Sequence, residues 1–108
     1  MVDGESAVLG QYAEPALHIL DSLVDGPKHG YALMSDIETR TGRSLGPGTL
    51  YAAVARLEAR GLIRALEPVD RRQPYELTDD GARYLESHLQ ELSRFSASGL
   101  HRLAERAR

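Results

Sequence analysis

The chain has no cysteine, no tryptophan and a single phenylalanine, and it is nowhere apolar for long. Without cysteine there is no disulfide and no thiolate metal site, which fits a reducing, cytoplasmic setting. No run approaches the roughly 18 apolar residues of a membrane span, so no membrane partner is expected. The first residues, MVDGESAVLGQY, open acidic and lack a cationic stretch ahead of an apolar core, unlike a secretory signal. Catalytic signatures are missing too: there is no nucleophile elbow, phosphate loop or paired-carboxylate motif. We therefore expect no enzyme and no cofactor. The histidines, His18, His29, His88 and His101, show no i,i+3 or i,i+4 pairing and join no carboxylate cluster, so no metal site is expected either.

What is present is a globular chain. With 42% hydrophobic and 27% charged residues it is not disordered, and 108 residues suffice for one compact domain but not two. The net charge of -3 argues at first against nucleic acid, but its distribution does not. Residues 1–26 carry only acids. Residues 27–72 hold Lys28, Arg40, Arg43, Arg56, Arg60, Arg64, Arg71 and Arg72 against Asp36, Glu38, Glu58, Glu67 and Asp70. The positive excess is local, and local excess is what a phosphate backbone responds to.

Hydrophobic spacing then orders the elements. Residues 1–14 read as an arm or a short helix weakened by Gly4 and Gly10. Pro15 suits the first turn of a helix with Ala16, Leu17, Leu20, Leu23 and Val24 on one face, stopped at Asp25-Gly26-Pro27. A second helix spans about Tyr31 to Thr41, burying Leu33, Met34 and Ile37, with Gly42 as its αL cap. A third begins near Pro47, buries Leu50, Ala53, Val54 and Leu57, and stops at Gly61. Leu62–Leu66 and Pro74–Thr78 read as two strands around the turn Asp70-Arg71-Arg72-Gln73-Pro74.

The third helix has a face suited to a groove in DNA. Ala52, Ala55 and Ala59 lie opposite its core stripe, so the backbone can approach closely. Gly48, Thr49, Arg56 and Arg60 flank those alanines or open the helix, and Tyr51 stands on the other margin. A basic hairpin directly behind such a helix reaches along phosphates while the helix enters the major groove. Candidate DNA contacts are therefore Lys28, His29, Tyr31, Gly48, Thr49, Tyr51, Arg56, Arg60, Arg71, Arg72 and Gln73.

Thr78 or Asp79 caps a last helix reaching about Ala107. Ala82, Leu85, Leu89, Leu92, Ser96, Gly99 or Leu100, and Leu103 step by three and four, a seam interrupted by Ser96-Ala97-Ser98-Gly99. So long a stripe exceeds what a small domain can cover, and a second copy is its natural partner. Leu85, Leu89, Leu92, Ser96, Leu100 and Leu103 are the candidate dimer interface. Beside the small residues, Phe95 with Leu92 and Ser96 could instead line a pocket for an aromatic or drug-like effector.

HGYALMSDIE, LGPGTLYAAVARLEARGLI and RRQPYELTDDGARYL resemble the PadR family of winged helix-turn-helix transcriptional regulators over roughly Leu17 to Leu85. The length is similar to that of its short group with one C-terminal helix. The resemblance implies a homodimer with two wings, a C-terminal helix exchanged in the interface, and repression relieved by a small molecule. Two positions depart from the pattern. Gly46 stands where a capping serine is common, and the tryptophan with which the drug-binding members line a central pore is absent, leaving Phe95 as the nearest counterpart.

The expected fold is mainly α with a small β-hairpin: an arm over 1–14, a winged helix-turn-helix over 15–78 and a dimerisation helix over 79–108. The expected function is that of a homodimeric repressor binding a double-stranded DNA operator. The alternative is a winged-helix protein-protein adaptor without specific DNA binding.

Overall fold

The computed structural model describes residues 15–108, and the expected arm over 1–14 lies outside them. Helix α1 covers residues 15–22 of that range and is followed by a turn. It buries Ile19 and Leu20, and Leu23 at the start of the turn is buried with them, but the exit of the chain leaves Val24 exposed rather than in the core stripe. Ile19, which the spacing argument passed over, is fully buried.

The remaining elements are β1 (Lys28–His29), α2 (Gly30–Thr41), α3 (Pro47–Ala59), β2 (Ile63–Ala65), β3 (Pro74–Leu77) and α4 (Asp79–Arg106). Gly42 ends α2 at φ 74°, donating to the Glu38 carbonyl, which is the cap its position predicts. Pro47 opens α3, and Gly46 before it offers no side-chain acceptor. β2 and β3 pair antiparallel with Arg64 opposite Glu76, as expected of a hairpin. The hairpin is not alone: β1 adds to the other edge of β3, giving the order β1-β3-β2. A two-residue strand has no alternation to read, and in the sequence it passes for the turn before α2.

Core and helices fit together through a few close approaches. Leu33 and Ile37 of α2, Leu50, Val54 and Leu57 of α3, and Ile63 of β2 join the α1 residues in one buried cluster. The Thr78 side chain caps α4 by accepting from the Gly81 N–H at 3.0 Å, and Asp79 and Asp80 suit its positive end. A Cβ on Gly81 would run into the carbonyl oxygen of Leu62, so only glycine lets the root of α4 lie on the lead into β2. The same docking corrects one expectation. Leu85 is only 4% exposed and belongs to the chain's own core, so the uncovered stripe of α4 starts at Leu89.

From there α4 continues unbroken through Ser96 and Gly99 to Arg106, with Leu89, Leu92, Phe95, Leu100 and Leu103 exposed. The radius of gyration, 16.0 Å, exceeds the about 13 Å of a compact domain of this length. A helix that leaves its own core behind accounts for such an excess.

Candidate nucleic-acid interface

Three elements meet at the start of α2. His29 is the N-cap: its extended backbone feeds the helix, and Nδ1 accepts from the Ala32 N–H at 3.2 Å. Gly30 follows, buried under Tyr51 of α3, whose ring and hydroxyl occupy the space a Cβ would need. Tyr31 comes next and is exposed. On the other side of His29, Nε2 lies 3.1 Å from Nη1 of Arg72 on the wing. Tyr51, Gly30, His29 and Arg72 thus form one continuous arc from α3 across the head of α2 to the hairpin. The HGY triplet has a physical reason: a cap, a place for the Tyr51 ring, and an outward hydroxyl.

The wing turns tightly. Val69 and Arg72 form a bridge with two 2.9 Å hydrogen bonds around Asp70 at φ 51° and Arg71 at φ 66°. Two successive positive φ angles make a type I′ turn, the kind that matches strand twist and favours Asn-Gly or Asp-Gly. An arginine in the second position is held against its own preference, with its side chain presented to solvent. An open hollow of about 440 Å³ lies between wing and α2, lined by His29, Val69, Asp70, Arg72 and Pro74. Gln73 braces the hairpin from within: Nε2 donates to the carbonyls of Leu66 at 2.5 Å and Pro74 at 2.9 Å. Arg64 and Glu76 pair across the two strands.

The structure sorts the other candidates. Gly48, Thr49 and the alanines Ala52, Ala55 and Ala59 are exposed along α3. Lys28 is engaged internally, its Nζ donating to the Ser22 carbonyl and to Asp25, with the side chain 18% exposed. Arg56 and Arg60 sit on the flank of α3 that faces α1 and α4. There they line a cavity of about 130 Å³ with Ala16, Leu17, Tyr84 and His88. The Arg60 guanidinium lies 5.1 Å from the Tyr84 ring, which stacks on His88 at 4.3 Å. These two arginines are therefore separated from the arc that unites Tyr51, His29 and Arg72.

A network that sequence reasoning missed fixes α2 against α1. Ser22, fully buried, donates to Asp36 Oδ2 at 2.5 Å, and Arg40 Nε reaches the same oxygen at 2.9 Å. The Ser22 hydroxyl, and then Arg40, hold the Asp36 carboxyl below its usual pKa. Lys28, by hydrogen bond and charge, does the same for Asp25. The i,i+4 spacing of Asp36 and Arg40 was the one available signal. Burial, followed by the charge of Glu58, raises the Tyr75 hydroxyl above its usual pKa and keeps it neutral at the edge of the core.

Among the described residues no cluster of His, Asp or Glu could hold a metal ion, and no helix is long and apolar enough to cross a membrane. The helix pair α2–α3 followed by the β2–β3 wing defines a winged helix-turn-helix. Residues 19–87 match the transcriptional regulator PadR-like family, and the chain belongs to it. It is 47% identical over 78 residues, 72% of this chain and 23% of the other, to an uncharacterized 37.1 kDa protein in transposon TN4556 of Streptomyces fradiae. To the transcriptional regulator Rv3488 of Mycobacterium tuberculosis it is 43% identical over 53 residues, 49% of each chain. The chain thus spans half or less of the length of these curated relatives. Among solved structures, a transcriptional regulator from Clostridium thermocellum superimposes with a TM-score of 0.74 at 28% identity, covering 84% of this chain and 92% of that one.

Proposed function

We propose that this chain is a sequence-specific DNA-binding transcriptional regulator that represses as a homodimer. The observation that carries the reading is the arc itself. An exposed small-residue face on α3, the tyrosines Tyr31 and Tyr51, and the arginines of a tight wing are held together through His29 and Gly30. α3 enters the major groove, Tyr31, Tyr51 and Thr49 bond to phosphates, and Arg71 and Arg72 grip the flanking backbone. With alanines at the centre of the reading face, DNA shape contributes much of the specificity. Arg56, on the flank, serves as a marginal contact at the groove edge, while Lys28, Arg60 and Gln73 act as supports.

The exposed stripe of α4 seats a second copy, and its length sets the distance between the two reading heads. Beside Ser96, Phe95 marks where a planar aromatic effector would enter between the two α4 helices and shift that distance. Sequencing genomic fragments retained at moderate salt identifies the operator. On that operator, replacing Arg71 and Arg72 together by alanine should weaken all sequences alike and reduce the salt slope by roughly 0.9 per phosphate contact removed. A protein-protein adaptor would instead retain little DNA at any ionic strength. An aromatic ligand that alters operator affinity in the native protein but not in Phe95→Ala identifies the effector site.

A further inference from the structure

His29 stands between two hydrogen-bond donors and has one lone pair to offer them. Nδ1 is 3.2 Å from the Ala32 amide, and Nε2 is 3.1 Å from Arg72 Nη1. Neither neighbour can accept: one is a peptide N–H, the other a guanidinium. A neutral imidazole carries its proton on one nitrogen and its lone pair on the other. With the proton on Nε2, the ring caps α2 but turns an N–H toward Arg72. With the proton on Nδ1, it accepts from Arg72 but turns an N–H toward Ala32. The two bonds exclude each other, yet the fold keeps both donors within reach. Backbone pairing of His29 with Pro74 sets the root of the histidine beside β3, and the Val69–Arg72 bridge sets the root of the arginine.

We infer that His29 is a positioning residue for the wing arginine, and that it works as an exchange point between wing and helix. While the ring accepts from Arg72, the guanidinium is parked over the hollow and the first turn of α2 lacks its cap. When Arg72 leaves for another acceptor, an anionic oxygen above all, the lone pair returns to the Ala32 N–H and firms the turn that carries Tyr31. Engagement of the wing and ordering of the head of α2 are thereby coupled through a single proton shift, without movement of the backbone. Asp70, the other charged group lining the hollow, lies at the turn beside Arg71 and is present in both arrangements. If the ring divides its time evenly, removing Arg72 raises the capped population at most about two-fold.

The test uses the whole chain and no DNA, so it stands or falls independently of the proposed operator binding. Ring nitrogen NMR in mildly alkaline buffer separates a protonated nitrogen from one bearing a lone pair. In the native protein both nitrogens of His29 should show intermediate shifts. Arg72→Ala should drive them to the form with the proton on Nε2, and should slow hydrogen exchange of the Ala32 amide by about two-fold or more, because exchange follows the uncapped population, which falls from about half toward zero. In a His29→Asn background the short amide still caps α2 but does not reach the wing, so Arg72→Ala should leave Ala32 exchange unchanged. Native shifts of one pure tautomer, shifts that ignore Arg72→Ala, or an Ala32 effect that persists in His29→Asn would each overturn the inference.

Discussion

Changing Leu89 and Leu92 together to glutamate tests the proposal that α4 seats a second copy of the chain. The two leucines are 47% and 50% exposed, so about half of each side chain is left for a partner to cover. Full burial of a leucine is worth about 1.5–3 kcal/mol, so the uncovered half stands for about 1 kcal/mol, and the four side chains of a symmetric pair for about 4 kcal/mol. At 1.4 kcal/mol per decade this is a rise of about three decades in the dimer Kd. Carboxylates facing an apolar seam add a desolvation penalty, which makes that figure a lower bound. Sedimentation velocity over a dilution series reads the constant directly. The fold should survive, because neither side chain is in the core cluster. Leu85→Ala supplies the contrast: at 4% exposure it should cost about 2–5 kcal/mol of unfolding free energy. A double variant whose dimer constant stays within tenfold of the native value would refute the assignment of this stripe as the seam.

Three further outcomes follow from particular contacts. Arg71→Gly relieves a positive φ and should stabilise the fold by about 1 kcal/mol in calorimetry while weakening operator binding in an anisotropy titration; a loss of both would remove the turn geometry as the reason. Gly30→Ala first meets the hydroxyl and ring of Tyr51, the far end of a side chain that can swing aside, so stability should change by less than about 1 kcal/mol while DNA affinity falls; in a Tyr51→Ala background the affinity effect should vanish. Asp36 has a depressed folded pKa, so its contribution is present above the unfolded value of about 3.9 and is lost as pH falls through the folded one. Thermal melts should therefore show Asp36→Asn weaker than native at neutral pH, with the gap closing in acid; a constant gap would remove the carboxylate as the cause.

Much of the fold and of the interface is legible in the amino-acid sequence, and the parts that are not share a cause. Gly42, Pro47 and Thr78 act within a few residues of themselves, so their roles at the helix ends are legible in order along the sequence. The long α4 is legible for the same reason. What escaped was set by distant partners. The β1 strand exists because β3 is beside it, not because of anything in Lys28 and His29 alone. Lys28 carries the charge of a phosphate contact, but the carbonyl of Ser22 and the carboxylate of Asp25 had claimed it. Arg60 has the right position on the helical wheel, and only the arrival of Tyr84 from α4 assigns it elsewhere. Leu85 fits the heptad as well as Leu89 does; the contact of Gly81 with Leu62 decides between them.

The anchored root of α4 has a mechanical consequence. At about 1.5 Å per residue, its 28 residues make a rod about 42 Å long. The rod is fastened at one end, where Gly81 leaves no gap above the Leu62 carbonyl and Tyr84 is held between Arg60 and His88. A fastening without slack transmits rotation rather than absorbing it. A turn of roughly 5° of rod and head together amounts to roughly 4 Å at the far end of a helix of that length. Run in reverse, a displacement of a few ångströms imposed near Leu103 becomes a turn of the head that carries α3. The long helix is then a gear reduction: coarse travel at its tip, fine angular adjustment at its base.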